Sequence, residues 1–131
     1  MFDRRACEQE LIDLPDCAPA LAASGYRFME TVNRWFGGTR IVRQFLAAQT
    51  VRLPHGSDPV HMLDIGSGSC DIPLAVSRWA RAQRMPLQIT CLETAASAVA
   101  IARVRLAQAA DPAVQLLQQD VFSYQPARPY D

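Results

Sequence analysis

The sequence predicts an α/β fold: a Rossmann-like parallel sheet of about three strands plus the start of a fourth, preceded by a helical N-terminal cap. Three observations carry that expectation. Short apolar runs alternate with longer stretches of helical period over residues 60–118. A glycine turn, Gly66-Ser67-Gly68, follows the first apolar run directly. The turn-rich segment Leu53-Pro-His-Gly-Ser-Asp-Pro59 separates this region from one whose period is helical throughout. Two units follow, a helical cap over residues 1–52 and a partial Rossmann-like domain over residues 60–131.

The elements can be justified in order. Residues 1–17 are polar with Pro15 and Asp16, and predict a loose or partly helical lead-in. From Ala18 to Phe36, Leu21, Phe28, Met29, Val32 and Trp35 or Phe36 recur at three- and four-residue steps, the stripe by which a helix meets a core. Gly37-Gly38 stops that helix. Thr39 is placed to cap a second helix carrying Ile41, Val42, Phe45, Leu46 and Ala48. Val60 to Ile65 reads as a buried strand. Ile72 to Arg84 reads as a helix with Leu74, Ala75, Val76, Trp79 and Ala82 on one side, and Pro73 suits its first turn, where a missing N–H costs nothing. Leu87 to Leu92 is a second strand, Ala95 to Ala110 an alanine-rich helix ended by Asp111-Pro112, and Val114 to Gln118 a third strand. Strand and helix alternating at this spacing require right-handed crossovers and a parallel sheet.

Composition limits the function classes. The chain has 131 residues, 50% of them hydrophobic, which suits one globular domain. Thirteen basic and thirteen acidic residues balance, which argues against a nucleic-acid partner. Every basic residue is an arginine. The four cysteines, Cys7, Cys17, Cys70 and Cys91, and the histidines His55 and His61 show no metal-ligand spacing, so no metal site is expected. Unpaired thiols and the absence of an apolar run long enough to span a bilayer predict a cytoplasmic protein.

The ends of the strands carry the candidate chemistry, because open α/β sheets bind ligands beyond the carboxyl ends of their strands. The first end is Asp64-Ile-Gly66-Ser67-Gly68. The glycines let the backbone turn tightly and approach a ligand. A dinucleotide site calls for a third glycine where this chain has Asp71, whose charge repels a pyrophosphate. S-adenosylmethionine (SAM) has an ammonium and no phosphate, and suits acids. At the second end, Glu93 followed by Thr94 lies about 25 residues after Gly68, near the offset of about 20 at which an acid meets ribose hydroxyls. At the third end, Asp120 can accept from an adenine amine and the Val121 N–H can donate to a ring nitrogen.

These residues resemble a known family. The region from Val60 to Asp131 is similar to the N-terminal half of a class I SAM-dependent methyltransferase. Leu63-Asp64-Ile-Gly66-Ser-Gly68 matches the first motif of that family, Glu93 its ribose-binding acid, and Asp120-Val121 its adenine-binding pair. Pro129-Tyr130-Asp131 resembles the start of its fourth strand, and Asn33-Arg-Trp-Phe-Gly-Gly-Thr-Arg40 a helix-turn found in small-molecule methyltransferases related to the quinone-methylating group. The resemblance implies SAM as cofactor and a small-molecule acceptor, phenolic or quinone-like. The first alternative is a truncated, non-catalytic or partner-dependent SAM-binding module; an NAD-type oxidoreductase domain ranks below it, because of Asp71.

Two departures from the family pattern stand out. Cys70 occupies a position where the family has glycine, and is expected to point into the core as a small apolar residue. The later strands, which in the family supply acceptor binding, lie beyond Asp131. That leaves the first strand with an unpaired edge and predicts self-association through it. Other residues have structural readings: Trp35 and Trp79 as packing residues, His61 as a half-buried or edge residue, Arg78, Arg81 and Arg84 as a solvated helix face. Arg40 is read as a surface ion-pair partner, with the cofactor carboxylate as the alternative.

Overall fold

The structure is a computed structural model and describes residues 17–50 and 58–131. The lead-in over residues 1–16 and most of the expected linker lie outside the described residues. Seven elements follow one another: α1 (Pro19–Trp35), α2 (Gly38–Thr50), β1 (Val60–Ile65), α3 (Asp71–Ala82), β2 (Leu87–Glu93), α4 (Ala96–Ala109) and β3 (Val114–Gln118). The strands form a parallel sheet in the order β1-β2-β3. The expected Rossmann-like architecture is present.

Register explains which residues are buried. Val60, Met62 and Asp64 stand opposite Leu87, Ile89 and Cys91, and Ile89 and Cys91 stand opposite Val114 and Leu116. Cross-strand partners share a face, and this face meets α3 and α4. Leu74, Val76 and Ala80 of α3 and Ala102 of α4 close a core with Leu87, Ile89, Cys91 and Val114, joined by Leu46 of α2. Trp79 packs against that core, as expected. A smaller cluster joins Ala22 and Tyr26 of α1 to Ala98 of α4, where small residues permit close approach.

The helical cap differs from the expectation in two ways. Thr39 does not cap α2. The helix begins at Gly38, and the first carbonyl to accept is that of Gly37, from Ile41 at 2.9 Å. Gly37 has φ +92, a value that favours glycine, so the reversal is complete two residues earlier than a threonine cap would make it. The apolar stripe of α1 is also not buried: Leu21, Phe28 and Trp35 are 52, 70 and 77% exposed, and Ala22 and Tyr26 face the core instead. Trp35 is therefore not a packing residue among the described residues.

After β3 the chain returns across the other sheet face. The Tyr124 hydroxyl bonds that of Tyr130 at 2.6 Å and reaches Thr90 of β2. Asp131 N–H donates to the His61 carbonyl at 3.0 Å, and the Asp131 carboxylate accepts from the His61 N–H at 2.8 Å. The tail thus reaches the free edge of β1, where the sequence reading placed the start of a fourth strand, although residues 129–131 form no strand.

Candidate cofactor site at the ends of the strands

The turn after β1 is built by hydrogen bonds that only a reversed backbone can make. Gly66 N–H and Ser67 N–H both donate to the Leu92 carbonyl, at 2.9 and 3.1 Å, and the Ser67 hydroxyl adds a third bond to it at 3.3 Å. Gly66 and Gly68 have φ +69 and +54. A Cβ on Gly66 would meet nothing within 4 Å, and one on Gly68 would come to 3.6 Å from the Tyr26 ring. Both glycines are favoured by backbone conformation, and the space beside Gly66 is open while the Tyr26 ring lies beside Gly68.

Cys70 follows at φ 58, ψ 26, again left-handed, immediately before α3. Glycine adopts this conformation more readily than cysteine does. The side chain is fully buried, in the core beside Cys91, as the sequence reading expected. The two thiols share a hydrogen bond, which together with burial pushes the Cys91 thiol well above its usual range.

Asp64, Gly66, Ser67 and Gly68 line a single cavity of about 150 Å³, with Asp71 and Ile72 of α3. Tyr26, Met29 and Asn33 of α1 close its other side. Asn33 Nδ2 donates to Asp71 Oδ2 at 3.0 Å, tying α1 to the start of α3. Burial, with Asp71 and Glu93 adding negative charge nearby, raises the pKa of Asp64 from 3.8 to about 6. The site therefore disfavours the Asp64 carboxylate and favours a cation beside it.

Glu93 closes the turn. Its Oε2 accepts from the Gly68 N–H at 2.8 Å, and its Oε1 from the N–H groups of Thr94 and Ala95 at 2.7 and 2.9 Å. A carboxylate offers about four acceptor positions, so Oε2 can take a further donor. The Thr94 side of this bend is exposed, and the Thr94 carbonyl accepts from Gln118 of β3 at 3.4 Å. Asp120 and Val121 lie one strand further on, outside the cavity. Asp120 is exposed and folds into an Asx turn, its Oδ1 accepting from Phe122 N–H at 2.9 Å. The Val121 carbonyl accepts from Tyr124 N–H at 3.3 Å, while the Val121 N–H makes no hydrogen bond among the described residues.

The structure thus brings together Asp64, Gly66, Ser67, Gly68 and, through a backbone bond, Glu93; Asp120 and Val121 stand apart from them. Tyr26, Met29 and Asn33 were missed as site residues, because nothing local in the sequence says that α1 docks over the glycine turn. Two other readings need correction. Arg81 is not merely solvated: its Nη2 pairs at 2.6 Å with Asp111, a side chain only 2% exposed that also accepts from Ser77 Oγ at 2.8 Å. Arg40 makes no ion pair among the described residues and lines a separate cavity with Arg34, Arg43 and Arg78.

No protein-family model matches the chain, and no curated protein matches its sequence. Solved structures share its fold. The plantazolicin methyltransferase BpumL in complex with SAH aligns with 92% of this chain and 43% of its own, at 19% identity and a TM-score of 0.57. The CMeT domain of the citrinin polyketide synthase aligns with 68% of this chain and 23% of its own, at 20% identity and 0.56. The [4+2]-cyclase SpnF aligns with 69% and 30%, at 25% identity and 0.51. The chain spans less than half the length of each. The likeness is one of fold, the class I fold of SAM-dependent methyltransferases, and a cyclase on the same fold shows that fold alone does not fix the reaction. No helix among the described residues is long and apolar enough to cross a membrane.

Proposed function

We propose that this chain is the cofactor-binding portion of a SAM-dependent methyltransferase acting on a small-molecule acceptor. One observation carries the reading: Asp64, Gly66, Ser67, Gly68 and Asp71 enclose one acidic cavity, and Glu93 is bonded to its glycine turn. The cavity, at about 150 Å³, is smaller than the roughly 300 Å³ at the low end of ligand pockets, which suits the amino-acid end of the cofactor and not the whole of it. The ribose would then meet the open position on Glu93, with Thr94 beside it. The adenine would reach Asp120 and the uncommitted N–H of Val121. SAM supplies an electrophilic methyl group when bound; the residues described hold the donor in line and keep water away.

The acceptor is proposed to be phenolic or quinone-like, on the resemblance of the segment from Asn33 to Arg40 alone. A second reading is a SAM-binding module that needs a partner or does not turn over: the residues around the cavity account for holding the donor and not for activating an acceptor.

Calorimetric titration with S-adenosylhomocysteine and, separately, with NAD tests the proposal. Binding of the former with no response to NAD is expected; the reverse would sink it. Asp64→Ala and Glu93→Ala should each weaken S-adenosylhomocysteine binding tenfold or more, on the order of 1.4 kcal/mol. Binding without consumption of SAM, over a panel of phenolic acceptors, would mark the second reading.

A further inference from the structure

Beyond the cofactor cavity, α1, α2 and α3 enclose a larger one of about 460 Å³. Its charged wall consists of Arg34, Arg40, Arg43 and Arg78 against Glu30 and Asp71. Both carboxylates are already engaged. Glu30 pairs with Arg105 at 2.6 Å, and Asp71 accepts from Asn33 at 3.0 Å. None of the four lining arginines has an ion-pair partner among the described residues. Arg43 is held in place by donating from Nη2 to the Ala75 carbonyl at 3.2 Å, and its Nε is buried without an acceptor.

The helix termini add to this charge. Arg40 and Thr39 sit in the first turn of α2, which has no acidic residue, so the positive end of that helix faces the same cavity. A basic side chain there is unfavourable to the isolated helix. Arg34 comes from the last turn of α1, across the Gly37 reversal. Four guanidinium groups that line one hollow with no ion-pair partner among the described residues repel one another unless something negative lies between them. Guanidinium forks match carboxylate and phosphate oxygens in pairs.

We propose that this cavity is a binding site for a small molecule carrying an oxyanion, a carboxylate or a phosphate ester, held by Arg34, Arg40, Arg43 and Arg78. The site rests on its own charges and not on the methyl-transfer reading. Asp71 lines both this cavity and the one at the glycine turn, so the two are neighbours. If the methyl-transfer reading holds, the oxyanion belongs to the acceptor, and its reactive end points towards the Asp71 wall.

The test is titration calorimetry at constant ionic strength with inorganic phosphate and with benzoate, alone and in the presence of saturating S-adenosylhomocysteine. Saturable binding of at least one anion is expected. It should weaken tenfold or more in Arg40→Gln, an exposed position whose replacement leaves the core intact, and further in Arg40→Gln/Arg43→Gln. Preference for one anion identifies the headgroup. No saturable binding of either anion, or unchanged affinity in folded Arg40→Gln and in the double variant, would overturn the proposal. Loss of anion binding when S-adenosylhomocysteine is present would also overturn it, because the arginines would then be serving the cofactor's own carboxylate. Failure of S-adenosylhomocysteine to bind at all would remove the cofactor reading and leave the anion result standing.

Discussion

At the scale of single residues, Asp64 sets function against stability. With its pKa near 6 in the folded chain and about 3.8 when unfolded, the folded form binds the proton more tightly between those values. Stability therefore declines as pH rises through about 4 to 6, by on the order of 2–3 kcal/mol. Asp64→Asn should recover that stability at pH 7 and give no gain below about pH 4, as read by urea denaturation across pH. The same variant should lose affinity for S-adenosylhomocysteine, whose wild-type binding should tighten as pH rises past 6. Cys70 poses a separate constraint. Cys70→Gly relieves a left-handed backbone but empties a small buried volume, so a change within about 1 kcal/mol is expected. Cys70→Val puts a β-branched residue into that conformation and should cost more than about 2 kcal/mol. The two glycines of the turn were legible in the sequence because their conformation is local. The left-handed conformation of Cys70 was not, because nothing in a cysteine announces it.

At the scale of elements, helix ends offer the clearest expectation. α3 closes with a Schellman motif: Arg84 N–H donates to the Arg81 carbonyl at 3.0 Å and Met85 N–H to the Ala80 carbonyl at 2.9 Å. Arg84, at φ 55, holds the position that glycine fills best. Arg84→Gly should raise the melting temperature, with a gain of about 1 kcal/mol. The strands and the helices between them could be read from period alone, since Leu87, Ile89 and Cys91 alternate inward as a half-buried strand must. For α1, periodicity located the helix but not the face it buries. Leu21, Phe28 and Trp35 repeat as a core stripe does, yet a repeat records only that a face is apolar and not which surface covers it. The buried pairing of Asp111 with Arg81 escaped for a related reason, since it joins the end of one crossover to the helix of another.

For the whole molecule, the β1 edge of the sheet has little cover among the described residues. Along β1, the N–H groups of Val60 and Gly66 point to β2, those of His61, Leu63 and Ile65 away from it, and of these His61 is met by Asp131. Ile65 is 57% exposed beside that edge. Self-association by strand pairing is therefore proposed, and Ile65→Lys should shift the population towards monomer in light scattering without lowering stability. A wild-type chain that stays monomeric at high concentration would contradict it. The shared Asp71 wall has a consequence of another kind. A ligand that brings an ammonium to the glycine turn neutralises a carboxylate that the arginine cavity also feels. The second cavity then becomes more positive, and an anion there binds more tightly. Linkage makes the effect mutual: whatever factor the first ligand gives the second, the second returns to the first. The two sites would fill together more often than their separate affinities imply, and neither would need the chain to move.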